Sequence, residues 1–188
     1  MAAMPAERRP NRGPSAAAEN RAALVTAARE VFATAGYDAP LSAVARRAGV
    51  GQGSLYRHFP DRVSLALAVF EVSVAELESR AAAPGVTLAD VLALITEQTV
   101  ASTAFIAMVS VPARPDPRLR ALRERVSGLL DSRLPAARLA GLVRADLTVD
   151  DLMTAVGMIA GVVSRVPAAD RVATAERLWS LLHRGIDP

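Results

Sequence analysis

The chain has 188 residues, 52% hydrophobic and 22% charged, with no cysteine and two widely separated histidines. That is enough apolar material for a buried core and too much for a disordered chain; it excludes disulfide staples and thiolate metal sites and leaves no clustered donors for zinc. The net charge of +3 is uneven, with nine arginines against five acids in residues 1–65, thirteen against fourteen in residues 66–188, and no lysine, so a polyanionic partner is expected for the N-terminal third alone.

Residues 1–15 lack hydrophobic periodicity. Arg8, Arg9 and Arg12 are interrupted by Pro5, Pro10 and Pro14, and the segment reads as a flexible basic arm and not as a secretory signal. No apolar run is long enough to span a bilayer. The expected compartment is the cytoplasm, with no membrane partner.

A first helix is predicted from about Ala17 to Ala35, because Leu24, Ala28, Phe32 and Ala35 recur at helical spacing. Gly36 suits its C-terminal left-handed position. Pro40 suits the first turn of a short helix reaching Ala48. Gly49-Val50-Gly51 is a tight turn, and a third helix runs from Gln52 to His58. Asp61 caps a fourth helix to about Ala82. Thr87 and Asp90 have capping-box spacing before a long apolar helix to Val111. Pro112, Pro115 and Pro117 mark a loop. A charged amphipathic helix starts near Arg118, breaks at Pro135 and resumes to about Arg144. Thr148 and Asp151 open a helix to about Ser164, and the last helix covers about Asp170 to Arg184. No period-two strand or internal repeat occurs. The fold class is all-α with about nine helices. The expected organisation is an arm (1–15), a smaller N-terminal helical domain (16–64) and a larger C-terminal helical domain (65–188).

Residues 41–58, LSAVARRAGVGQGSLYRH, carry the functional signal. Val44 and Ala48 are apolar on the first helix of the pair, and Ala45 is small where the second crosses. Gly49 supplies a turn conformation that a Cβ resists. Val50 and Leu55 fill the space between the helices. This is the pattern of a helix-turn-helix, whose second helix enters the DNA major groove. The dinucleotide fingerprint is absent, since Ser54 stands where its third glycine would be and no strand precedes it. Ser54 and His58 have no acidic orienter for nucleophilic chemistry. Without a convergent acid, base or metal cluster, no enzyme and no cofactor are expected.

Ala27, Ala28, Phe32, Gly36-Tyr37, Ala48-Gly49-Val50 and Leu55-Tyr56-Arg57-His58-Phe59 together make the chain resemble the TetR family over roughly residues 20–65. The resemblance implies a homodimeric regulator of transcription that binds near-palindromic double-stranded operator DNA. It implies that Gln52, Gly53 and Ser54 face base edges, that Tyr56 and His58 contact phosphate, and that Arg62 meets the backbone; Arg47 is the further basic candidate. Two positions depart from the family pattern. Gly51 replaces a capping serine, and Pro40 stands where many relatives carry a phosphate-binding threonine. Repression relieved by an effector is the expected mode. An activator, a DNA-organising protein, or a helical enzyme or scaffold with a vestigial head are the alternatives.

In the second half, the helix from Thr87 to Val111 is apolar nearly all round and is expected to be central. Gln98, Thr99 and Ser102 interrupt its stripe. With Phe105, with Phe70 on the fourth helix and with Met153 on the penultimate one, they are the candidate contacts to a mostly apolar small-molecule effector. The dimer interface is expected on the last two long helices. Gly157, Ala160 and Gly161 would allow close approach, and Leu178, Trp179 and Leu182 would supply bulk.

Overall fold

The computed structural model describes residues 14–101 and 116–186, and every regular element within them is helical. Helix α1 spans Pro14–Ala35, α2 Leu41–Arg47, α3 Gln52–His58, α4 Arg62–Ala81 and α5 Leu88–Ala101. Beyond residue 116 come α6 (Pro117–Asp131), α7 (Leu134–Leu139) and α8 (Val149–Val163). A 3-10 turn over Ala168–Asp170 leads into α9 (Arg171–Ile186).

The helix starts follow from side chains that meet orphan backbone N–H groups. At α4, the Ser64 N–H donates to Asp61 Oδ1 at 2.6 Å, and the Asp61 N–H returns to Ser64 Oγ at 3.3 Å, a closed capping box. Aspartate does the same at α5 and α8. The Thr87 N–H reaches Asp90 Oδ2 at 2.9 Å and the Thr148 N–H reaches Asp151 Oδ2 at 2.8 Å. Hydrogen bonds from each threonine's hydroxyl and backbone hold both carboxyls below the usual carboxylate range.

Two boundaries differ from the sequence reading. α1 begins at Pro14, so the last two residues of the expected flexible arm are helical; the Ser15 hydroxyl donates to Glu19 at 3.0 Å inside that first turn. The helix expected to run to Arg144 ends at Leu139. Gly141 takes φ +67°, the Gly141 N–H donates to Arg138 O and the Leu142 N–H donates to Ala137 O, both at 3.0 Å. That paired closure ends the helix, and only a residue at ease with positive φ allows it. The predicted helix from Thr87 to Val111 is helical from Leu88 to Ala101; residues 102–111 lie outside the described residues.

Two main apolar clusters hold the chain, with a smaller one beside them. Leu24, Ala28, Phe32, Val44, Leu55 and Phe59 gather α1–α3 into a head. Val74 and Leu77 of α4 pack with Val91, Leu130 and Leu152 in the body. Ile159, Val163 and Ala175 join α8 to α9. The head and body clusters meet inside α4, where Leu65 belongs to the first and Leu67 to the second. Each fully buried leucine or phenylalanine contributes about 1.5–3 kcal/mol by leaving water.

Candidate nucleic-acid interface

The two helices of the head are joined by a turn that the sequence specifies closely. Gly49 takes φ +66°. Its N–H donates to Arg46 O at 3.2 Å, and the Val50 N–H donates to Ala45 O at 3.0 Å. This closes α2 and redirects the chain within three residues. Ala45 is 2% exposed and Leu55 1%, so the small side chain and its large neighbour meet in the crossing. Gly51 leads α3 with extended backbone and no side-chain cap, and its carbonyl accepts the Ser54 and Leu55 N–H groups at 2.9 and 3.0 Å.

This leaves one face of α3 in solvent. Gln52, Gly53 and Arg57 are exposed, Ser54 and His58 are half-buried, and Tyr56 is 53% exposed. Arg57, in the last turn of α3, is a candidate the sequence reading passed over. It has no carboxylate partner among the described residues, and its place between Tyr56 and His58 was the signal available. Arg47 is exposed and paired to Glu30 of α1 at 2.6 Å. A polyanion would have to compete with Glu30 for it.

Arg62, expected to meet the DNA backbone, also makes contacts within the head through one of its nitrogens. Its Nη1 donates to the carbonyl of Tyr37 and to that of Ala39 at 2.6 Å. Its guanidinium lies 5.5 Å from the centre of the Tyr37 ring. The side chain therefore fixes the loop between α1 and α2, which in turn places α2 and α3. Arg29 of α1 reaches past the head to Glu76 of α4 at 2.7 Å. That hydrogen bond, together with one from Gln98 of α5, holds the Glu76 carboxyl below its usual range.

The remaining candidates belong to the body. Phe70 and Met153 pack against the body core. The Thr99 hydroxyl donates to Ile95 O at 2.8 Å, and Gln98 keeps a buried Oε1 without a partner among the described residues. Ser102 and Phe105 lie outside the described residues. A cavity of about 1410 Å³ lies elsewhere, between α5, α7 and α9, and none of Phe70, Gln98, Thr99 and Met153 lines it. On α8, Gly157 is exposed and Ala160 and Gly161 are half-buried, beside Met158 and Val162 at 57% and 42% exposure. Leu178 and Leu182 pack against their own chain's α8. Trp179, expected to face a partner, is turned inward, because its indole Nε1 donates to Thr96 Oγ1 at 2.6 Å.

A helix-turn-helix head whose fourth helix continues into a separate helical core defines a DNA-binding regulator of two parts. The chain belongs to the TetR family of bacterial regulatory proteins, which it matches over residues 24–69, with the SbtR-like C-terminal domain of such regulators over residues 83–188. It is similar to the TetR transcriptional regulator SCO0520 from Streptomyces coelicolor, with 33% identity, TM-score 0.62, and 89% of this chain and 98% of that chain covered. It is also similar to the TetR-family protein CprB from S. coelicolor A3(2), with 28% identity, TM-score 0.63, and 92% and 90% covered. A third likeness is to a gamma-butyrolactone receptor described as ArpA-like, with 26% identity, TM-score 0.57, and 92% and 90% covered. Among curated proteins none matches the chain. No helix among the described residues is long and apolar enough to cross a membrane.

Proposed function

We propose that the protein is a homodimeric repressor that occupies a near-palindromic operator and leaves it when a mostly apolar small molecule binds the body. The observation that carries this reading is α4, a single 20-residue helix whose first turns belong to the head core and whose later turns belong to the body core. A shift of the body end of that helix moves the head, and in a two-fold dimer it changes the spacing of the two α3 helices. Productive spacing is about one DNA turn, roughly 34–36 Å, or a little more.

Gln52, Gly53 and Ser54 are assigned to base edges, and Tyr56, Arg57 and His58 to phosphates. Arg47 joins the phosphate set once released from Glu30, and Arg62 acts by holding the loop behind them. The dimer face is assigned to α8 and α9, around Gly157, Ala160 and Gly161 with Leu178 and Leu182 behind. The exposed Met158, Val162 and Leu181 on these two helices support it, since large apolar side chains left in solvent gain by being covered. The effector is placed between α4 and α8, near Phe70, Gln98, Thr99 and Met153, with Ser102 and Phe105 as further contacts. The buried, unpartnered Gln98 Oε1 supports a polar anchor there. The similarity to a gamma-butyrolactone receptor supports a small, largely apolar effector.

The test is a gel-shift series on operator fragments selected from genomic DNA. Tyr56→Ala should weaken binding to all sequences alike, because phosphate contacts carry no base information. Gln52→Ala should relax preference at particular base pairs by about 1–3 kcal/mol. If neither variant changes DNA retention, α3 is not the recognition helix.

A further inference from the structure

The cavity between α5, α7 and α9 has about 1410 Å³, more than the roughly 300–1,000 Å³ of ordinary small-molecule pockets. It is long. Its α5 lining runs from Leu88 to Ala101, about 20 Å at the α-helical rise. Its walls are apolar, with Leu92 and Val100 from α5, Leu152 from α8, and Val172 and Trp179 from α9. The polar groups along the middle are already satisfied. Thr96 Oγ1 accepts the indole N–H at 2.6 Å and donates to Leu92 O at 2.8 Å, and Glu97 is paired to Arg80 at 2.9 Å. Glu176 and His183 sit exposed on the α9 rim.

One end differs. Arg133, just before α7, lines the cavity beside Gly85 and Val86. It makes no ion pair with any described residue. Its Nη2 donates to Ala81 O at 2.9 Å, which helps close the C-terminus of α4. Its Nε is buried with no acceptor among the described residues. A guanidinium carries five N–H donors, so one backbone contact leaves most of its capacity unused beside an apolar channel. An unneutralised, half-buried cation of this kind favours a carboxylate, which it can hold by charge-assisted hydrogen bonds.

We propose that this groove binds a long-chain carboxylate, with the alkyl chain lying between α5 and α9 and the carboxylate on Arg133. The site is separate from the effector position assigned between α4 and α8. It stands on its own geometry, whether or not its occupation alters operator binding.

Trp179 is the only tryptophan in the chain and lines the groove, so its fluorescence reports occupation directly. The full-length protein is titrated with hexadecanoate below its micelle concentration. The expected result is a saturable change in emission, with affinity about tenfold or more weaker for the methyl ester, which has lost the charge. Arg133→Gln should weaken the acid similarly and leave the ester unchanged. Ala93→Phe, on the exposed wall of α5, should weaken both by filling the channel. If Arg133→Gln fails to fold, the acid-to-ester ratio and Ala93→Phe still decide. The proposal is overturned by no saturable change, by equal affinity for acid and ester, or by a neutral alkyl lactone that binds as tightly as the acid. It is also overturned if Ala93→Phe leaves hexadecanoate binding intact but shifts the sedimentation coefficient, which would make the groove a contact between copies. A gel shift with and without hexadecanoate reads any effect on operator binding separately.

Discussion

The head and the body are both small helical packings, yet they present opposite chemistry to solvent. The head buries Leu24, Phe32, Val44 and Leu55 and turns outward Gln52, Gly53, Tyr56 and Arg57. The body buries Val91, Leu130 and Leu152 and leaves Leu139, Leu142, Met158, Val162 and Leu181 more than two-fifths exposed. The difference corresponds to two kinds of partner. A polar face meets a hydrated polyanion by exchanging one set of hydrogen bonds for another, whereas an apolar face gains by losing water. The head's polar face suits a partner met through a fixed geometry and little surface, while the body's exposed apolar groups suit a partner surface or a ligand that covers them.

The strongest way to break this division is through α4, which both cores share. Leu65 is 0% exposed in the head cluster and Leu67 is 4% exposed in the body cluster. Leu65→Ala and Leu67→Ala should each destabilise the protein by about 2–5 kcal/mol, lowering Tm by roughly 4–20 °C. Because α4 ties the cores together, calorimetry should show one transition in both variants. A separate, early transition in Leu65→Ala alone would mean that the head melts without the body. α4 would then not transmit a shift from one to the other.

A smaller effect isolates the head turn. Gly49 has φ +66°, and a Cβ added there meets nothing within 4 Å. The cost of Gly49→Ala is thus backbone strain alone, about 1–2 kcal/mol for a left-handed L-residue. Gly141→Ala, at φ +67° with equally open surroundings, should cost about the same in denaturant melts. Operator binding separates the two, because only Gly49 sets the angle between α2 and α3. If Gly141→Ala weakens operator binding as much as Gly49→Ala does, the turn geometry is not what the head depends on.

The head was legible in the sequence because its determinants are local. Gly36 and Gly49 had to be glycine for positive φ, Asp61 had to reach Ser64, and Leu55 fell on the only buried face of a seven-residue helix. The inward turn of Arg62 was not legible, since its acceptors, the Tyr37 and Ala39 carbonyls, are brought to it by folding. In the body, the capping pairs Thr87–Asp90 and Thr148–Asp151 gave two helix starts. The stop at Gly141 was also written in the sequence, in the one residue type at ease with positive φ, although the expected helix ran past it to about Arg144. Trp179 could be read as bulky and apolar, yet its direction depends on where α5 crosses α9. The groove beside Arg133 is likewise a product of helix packing, joining residues from Gly85 to His183 that no spacing rule connects.

The smallest expected effect compares an ion pair that links the head to the body with one internal to the body. Arg29 holds Glu76 across α1 and α4 at 2.7 Å. Arg125 holds Glu78 across α6 and α4 through two bonds of 2.8 and 2.6 Å. In each, the arginine hydrogen bond is the main cause that holds the carboxyl below its ordinary value of 4.5. A carboxyl lowered in the folded state stabilises the protein above its unfolded value, and that contribution is lost as pH falls below about 4.5. All four side chains are more than a third exposed, so each pair contributes about 1 kcal/mol or less. Glu78→Gln should therefore be slightly less stable than the parent at pH 7, and the gap should close on acidification once the folded carboxyl protonates. Glu76→Gln should show the same pH dependence, but it should also change operator affinity, because its partner sits on the first helix of the head. A stability gap that persists at low pH would assign the loss to packing instead of charge. Equal operator affinity in the two variants would show that the Arg29–Glu76 contact holds the head without setting its position.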